Sequence, residues 1–305
     1  MAHGHGDHGH DQGHRQGHGH AHKHGTKDMD WSRMIPHLER GAEVYTPLYT
    51  EALSWLRASR PGGTGLIVDA GAGPGAISLQ LAEAFPDARI IAADPEEALL
   101  ARATERFAEA GLGERTGTLR VELPDAIGEL PDADLIWAAR SLHHVGDQRA
   151  AIAALAGRLA PGGTLALVEG GLPLRSLPRD FGFGRPGLET RADAIEDEWF
   201  DEMRRSLPGA ESHVEDWPAL LTAAGLKGAQ SRTFLLDLPA PLSAAGREML
   251  VDMWQRRRGV FEESLATDDI AALDRLLDPE DEQGLYRRDD VFLLVAHTVH
   301  TAVKG

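Results

Sequence analysis

The residues best placed to do chemistry surround a glycine-rich turn. The apolar run Leu66-Ile-Val-Asp69 leads into Ala70-Gly71-Ala-Gly73-Pro-Gly75, and a helical pattern follows at once. Glycines at a strand-to-helix turn let the backbone approach a ligand with no side chain in the way. Gly71, Gly73 and Ala76 also satisfy the loose dinucleotide fingerprint G-x-G-x-x-G/A. Charge separates the readings. A pyrophosphate at the helix N-terminus would be repelled by an added carboxylate, and Asp69 stands directly before the loop. A carboxylate there suits a ligand that carries an ammonium and a sulfonium. Asp94 closes the second apolar run, nineteen positions after Gly75, where it can reach the ribose hydroxyls of a nucleoside lying across the strand ends. Asp125 follows the third run, where an adenine amino group would lie. Taken singly, each acid reads equally well as a helix cap or turn residue. Three at the ends of three successive runs read as a site.

These positions need a sheet to hold them. Short apolar runs at Leu66–Ala70, Arg89–Asp94, Thr118–Leu123, Asp134–Ala139 and Thr164–Glu169 alternate with helical patterns over 75–85, 96–110 and 147–159. Apolar strands alternating with helices predict an α/β fold with a parallel sheet covered on both faces. Ahead of it, the stretch from Asp30 to Leu56 has helical spacing that Pro36 and Pro47 are expected to break. Beyond Glu169 the rhythm changes. Residues 170–190 read as a Gly/Pro/Arg-rich loop, and 192–207 as a helix with Ile195, Trp199, Met203 and Leu207 on one stripe. A helix is expected over Trp217–Ala224, a strand over Ser231–Leu238, two helices within 242–278, and a last strand over Val291–His300. The expected organisation is a tail over 1–27, a helical cover over 28–60 and a ligand-binding core over 61–170. A substrate-side insertion over 171–230 follows, then the last two strands over 231–305 with a helical insertion at 240–285.

The motifs in order resemble one family. The pattern Asp69-x-Gly71-x-Gly73-x-Gly75 is similar to motif I of class I S-adenosylmethionine (SAM)-dependent methyltransferases. Asp94-Pro95 after strand two, Asp125-Ala126 ahead of strand four and Arg140-Ser-Leu-His143-His144 after it follow the same order. So does Pro161-Gly-Gly-Thr164 before strand five. The resemblance covers roughly 45–170. It implies a Rossmann-like, seven-stranded, mostly parallel sheet whose seventh strand is inserted antiparallel, with helical N-terminal and C-terminal cover. It also implies SAM as cofactor, with the methionine end near the glycine loop and Arg140, ribose on Asp94-Pro95, and adenine near Asp125 and the Ala126 amide. The family often has Gly-Asp-Ala where this chain reads Pro124-Asp125-Ala126.

Methyl transfer from a sulfonium is an in-line displacement, so it depends chiefly on positioning and on exclusion of water. A general base is needed only when the acceptor arrives protonated. His143 and His144 follow strand four and are the candidates, because histidine titrates near neutral pH; the alternative is that they only terminate the strand. Trp31, Tyr45 and Tyr49 lie on the N-terminal helical segment, which in such folds often covers the cofactor, so these rings could pack against its sulfonium or adenine; the alternative is ordinary helix packing of Tyr45 and Tyr49. The stretch with Arg175, Arg179, Phe181 and Phe183 mixes guanidinium groups with rings, and could favour a carboxylate-bearing or aromatic acceptor.

Composition narrows the classes. The 305 residues are 42% hydrophobic and 26% charged, as in ordinary globular chains. No apolar run reaches the ~18–20 residues of a membrane helix and no signal peptide is evident, so the expected location is the cytoplasm. A net charge of −17 argues against nucleic acid as partner, leaving a small-molecule acceptor and a homodimer open. The absence of cysteine removes thiolate chemistry. The first 25 residues carry nine histidines, His3, His5, His8, His10, His14, His18, His20, His22 and His24. This tract is expected to bind Ni2+ or Zn2+ and to release it below about pH 6. Two other functional classes stay open at this point: a SAM-binding protein that does not methylate, and a metal-handling protein.

Overall fold

The computed structural model describes residues 31–60 and 63–305. Helix α1 (Trp31–Ala58) leads into β1 (Leu66–Ala70), α2 (Ala76–Ala84), β2 (Arg89–Asp94), α3 (Glu97–Glu109), β3 (Thr116–Arg120) and β4 (Ala133–Ala139). Then follow α4 (Gln148–Gly157), β5 (Leu159–Arg175), α5 (Leu188–Ser206), α6 (Trp217–Ala223), β6 (Lys227–Leu238), α7 (Ala244–Val260), α8 (Thr267–Leu276) and β7 (Leu293–Val303). The seven strands form one sheet in the order β3-β2-β1-β4-β5-β7-β6. The first five are parallel, and β7 runs antiparallel between β5 and β6. This is the expected α/β architecture of the class I methyltransferases.

Parallel strands covered on both faces must be apolar throughout, and β1 and β4 are buried along nearly their whole length. One face packs on α1, α2 and α7 through residues such as Leu48, Leu53, Leu81, Trp137 and Trp254. The other packs on α4 and α6 through Ile136, Ile152, Leu155, Trp217 and Leu221. Carboxylates and a hydroxyl fix three helix starts: Asp147 accepts from Ala150 N at 2.9 Å, Asp216 from Ala219 N at 3.0 Å and Ser243 from Gly246 N at 3.2 Å. Among the described residues no helix is long and apolar enough to cross a membrane.

Several boundaries differ from expectation. Pro36 and Pro47 do not break α1, which runs for 28 residues. Pro47 and Glu43, whose carbonyl loses its partner, both lie on the solvent side, while Val44, Leu48, Tyr49, Ala52, Leu53 and Leu56 form a buried stripe. Packing of that stripe outweighs one lost hydrogen bond. Strand β3 starts two residues early and ends at Arg120, because Thr116 is the residue that pairs with Ile90. The supposed loop after Glu169 begins as a strand. β5 continues to Arg175 through a register shift at Gly170-Gly171. Gly171 has φ +127°, and a Cβ there would lie 1.9 Å from the Ala296 carbonyl oxygen.

Candidate functional site

The glycine loop crosses from the end of β1 towards β2. Gly71 N and Ala72 N donate to Ala93 O at 2.8 and 3.1 Å. Gly71, Gly73 and Gly75 all have positive φ, at 79°, 55° and 74°, a region that side chains with a Cβ enter only at a cost. A Cβ on Gly71 would stand 2.8 Å from Ser141 Cβ, and one on Gly75 would stand 2.7 Å from Ala103 Cβ. On Gly73 it would meet no heavy atom within 4 Å. The loop is therefore packed at its two ends and approachable in the middle.

Two acids stand behind the loop. Asp94 is 6% exposed and accepts from Gly73 N at 2.9 Å and from Glu96 N at 3.0 Å. It thereby ties the loop to the start of α3. Burial raises its pKa, and the two backbone donors offset part of that rise. Asp69 is 2% exposed and accepts from Ser78 Oγ at 2.6 Å. Burial pushes its carboxyl up to about 7, against the Ser78 hydrogen bond and with help from the Asp94 charge. Both stand at the carboxyl ends of adjacent parallel strands. Asp125 lies exposed in the turn beyond β3. The Ala126 amide, which the resemblance placed against an adenine, donates instead to Glu122 O at 2.8 Å and closes that turn. The Pro95 carbonyl accepts from Arg120 Nε at 3.1 Å.

Across the loop, the end of β4 carries Arg140 in a left-handed conformation, φ +52°. Its amide donates to Val168 O at 3.0 Å. The chain then forms a single 3-10 turn over Leu142–His144. Glu169 on β5, 5% exposed, organises this turn. Its Oε1 accepts from Ser141 N and Leu142 N at 3.2 and 2.9 Å, and its Oε2 pairs with His143 Nδ1 at 3.0 Å. A carboxylate can only accept, so His143 Nδ1 donates to Glu169, and Nε2 is the ring nitrogen left to exchange a proton with a ligand. The ring lies 5.8 Å from Phe200 and 4.2 Å from His144, which faces solvent. Arg204 Nη1 donates to His143 O at 3.1 Å.

On the other side of the dyad, α1 meets β7. Tyr45 stacks on His297 with centroids 5.0 Å apart, and Tyr49 Oη lies 3.2 Å from His297 Nδ1. Tyr49 also meets Trp137 edge-on at 6.4 Å. His297 is 4% exposed; burial, then the Arg140 charge, pushes its pKa down to about 4 and leaves it neutral. Neither Glu169 nor His297 carries a motif that marks it in the sequence. Glu169 could have been found as the carboxylate ending the strand beside His143.

The other expected residues lie elsewhere. Arg175 pairs with Asp193 on α5. Phe181 is buried below the Arg288 guanidinium, and Phe183 lies below that of Arg275 on α8, at 4.1 Å from its ring centre. Arg179 is exposed. These contacts turn the 175–183 segment to α8 and to residues 282–290, not to His143. Packing of the two rings explains the difference, since a mixed Arg/Phe stretch reads the same in a wall as in a lid. The nine histidines from His3 to His24 lie outside the described residues. Among the described residues no group of three or more His, Asp or Glu could hold a metal ion.

Comparison with known proteins agrees with the loop and sheet. Residues 68–165 match the methyltransferase domain family. An uncharacterized methyltransferase of Mycobacterium tuberculosis is 37% identical over 115 residues, 37% of this chain and 54% of its own. A trans-aconitate 2-methyltransferase of Variovorax paradoxus is 39% identical over 104 residues, 33% of this chain and 37% of its own. The chain thus spans about half the length, or less, of the curated relatives it matches. An O-methyltransferase family protein from Burkholderia thailandensis is similar in structure, with a TM-score of 0.45 at 21% identity over 63% of this chain and 53% of that one. Strand order and the glycine loop between β1 and α2 agree with the match of residues 68–165 to the methyltransferase domain family.

Proposed function

We propose that the protein transfers a methyl group from SAM to the oxygen or nitrogen of a small-molecule acceptor. The observation that carries this reading is the juxtaposition of two preorganised groups at one sheet edge. One is the glycine loop with buried Asp69 and Asp94 behind it; the other is the His143–Glu169 pair. Ser141 links them, since its Oγ donates to Ala70 O at 3.4 Å while its amide donates to Glu169.

The donor set fits a cationic nucleoside: two buried carboxylates and an approachable backbone, with no cation among the partners of either acid. SAM supplies an electrophilic methyl group on a sulfonium. Asp94 is suited to the ribose hydroxyls, Asp69 to the positive methionine end, and Pro95 and Asp125 to the nucleoside rim. His143 Nε2 accepts the acceptor's proton, and Glu169 holds the ring in the productive tautomer and stabilises the imidazolium that results. His144, facing solvent beside it, is a weaker candidate for the same step. A small acceptor also fits the net charge of −17, which disfavours a phosphate backbone. Because partial relatives act by name on trans-aconitate, that acid belongs among the first acceptors tried.

Binding of S-adenosylhomocysteine to the full chain, followed by calorimetry, tests the reading. Asp94→Ala should weaken it by roughly 1.5–3 kcal/mol, about ten- to a hundredfold, because charge-assisted ribose hydrogen bonds disappear. The circular dichroism spectrum should stay nearly the same. An unchanged dissociation constant removes Asp94 from the site. Product formation with a trial acceptor then separates methyl transfer from binding alone.

Asp69 gives a pH signature. Its carboxyl titrates near 7 in the free protein, and a cationic ligand favours its ionised form. SAM affinity should therefore fall as pH drops below about 7, by up to roughly tenfold per pH unit, with proton uptake by the free site. In the unliganded protein the sign is opposite. A raised carboxyl pKa favours the folded state at low pH, and that contribution is lost as pH rises through about 7. Asp69→Asn should bind more weakly at pH 8 and show a flatter profile. A steep wild-type profile that persists in Asp69→Asn would assign the titration to another group.

A further inference from the structure

We propose that Arg140 and the Tyr45–His297 stack form an acceptor subsite selective for a planar molecule that bears a carboxylate. This rests on the methyltransferase reading above and assigns the substrate class for that site.

Arg140 is exposed, and among the described residues no carboxylate forms an ion pair with it. Other arginines of this half are tied: Arg175 and Arg257 to Asp193, Arg185 and Arg191 to Asp269, and Arg204 to backbone carbonyls. Arg140 also holds φ +52° although it is not glycine, and such backbone is retained where the surroundings enforce it, often at functional sites.

Topology gives the direction of its action. The glycine loop and Asp94 belong to β1 and β2, on one side of β4, while His297 belongs to β7, two strands away on the other side. Register joins the two sides: Ala139, the residue before Arg140, pairs with Val168 on β5, and Gly171, three residues further along β5, pairs with His297. In keeping with that placement, the Arg140 charge adds to the lowering of the His297 pKa by burial and opposes the burial-driven rise at Tyr45 and Tyr49. The exposed Arg256 on α7 acts on Tyr45 in the same sense. The half-buried Tyr45 ring, stacked on a neutral imidazole, thus offers a flat surface in the field of two guanidinium groups. That combination is complementary to a planar anion. The His143–Glu169 pair at the adjoining turn is placed to take a proton from a hydroxyl on the same molecule.

The test uses the full chain saturated with S-adenosylhomocysteine and compares 3-hydroxybenzoate with phenol by calorimetry. Wild type should prefer the carboxylate probe by about tenfold or more. Arg140→Gly, which suits the left-handed backbone, should lose the preference. Arg140→Lys should retain part of it, and Tyr45→Leu should weaken both probes. A wild-type complex that binds neither probe, or both equally, overturns the proposal. So does an Arg140→Gly protein that loses S-adenosylhomocysteine affinity while keeping that for 5′-methylthioadenosine, because the guanidinium would then hold the cofactor's own carboxylate. Failure of the wild type to bind S-adenosylhomocysteine at all is a separate result, which removes the methyltransferase reading and this subsite together.

Discussion

Replacing His143 by alanine should lower turnover about 10²–10⁴-fold, the range associated with loss of a positioned general base, while S-adenosylhomocysteine binds as before. The side chain faces a buried carboxylate at 3.0 Å and is held from behind by Arg204 at its carbonyl, so its removal costs proton transfer before it costs structure. Glu169→Gln should fall between wild type and His143→Ala. The amide oxygen can still accept from Ser141 N and Leu142 N, but the charge that stabilises the imidazolium is gone. His144→Ala should lose much less, since His144 has no carboxylate partner among the described residues and faces solvent. Steady-state rates with any acceptor that the wild type methylates decide this. Equal losses from His143→Ala and His144→Ala would contradict the assignment. An acceptor that is already deprotonated at the assay pH should be insensitive to both.

Gly75→Val and Gly73→Ala should separate stability from binding. Gly75 has φ +74°, and its missing Cβ would press on Ala103 Cβ at 2.7 Å and on the α3 backbone at 3.1 Å. A β-branched residue there combines forbidden backbone with overpacking, and about 3 kcal/mol or more of stability should be lost. For a chain of 305 residues that lowers the melting temperature by roughly 5 °C or more. Gly73 has φ +55° but open surroundings, so Gly73→Ala should cost only about 1–2 kcal/mol. Its methyl group would occupy the one approachable part of the loop, and S-adenosylhomocysteine affinity should drop while the fold survives. Thermal melts and calorimetry on both variants check the pair. The idea fails if Gly73→Ala binds normally.

Much of the architecture is written in local pattern. Unbroken apolar runs name the central parallel strands, and the acids Asp69 and Asp94 end their strands because the glycine turn and the α3 start follow directly. What escapes is decided by partners distant in sequence. Gly170 and Gly171 look like loop residues, yet they let β5 pass Ala296 as a bulge and keep pairing with β7. Pro47 looks like a helix end, yet burial of its neighbours carries α1 through it. The Ala126 amide is taken by a carbonyl four residues back. Arg175, Phe181 and Phe183 have the composition of a binding loop, but Asp193, Arg288 and Arg275 claim them. His297 is the clearest case. The alternating stretch around it marks a strand, but only the crossover that inserts β7 beside β5 brings it under Tyr45.

That insertion also sets an order of assembly. β7 is the last strand of the described chain, yet it lies inside the sheet, with β6 joined to the rest of the ladder only through it. During synthesis the parallel half, β1 to β5, can pair as it emerges. β6 must wait some 55 residues for a neighbour, a delay that follows from the spacing of Leu238 and Leu293 and that loop closure makes costlier. Until residue 293 and its successors have left the ribosome, the outer edge of β5 and the apolar side of β6 have nothing to pair with. The growing chain can thus complete the glycine loop and the His143–Glu169 turn before β7 brings His297 to Tyr45, and that interval is when it is most exposed to association with other chains.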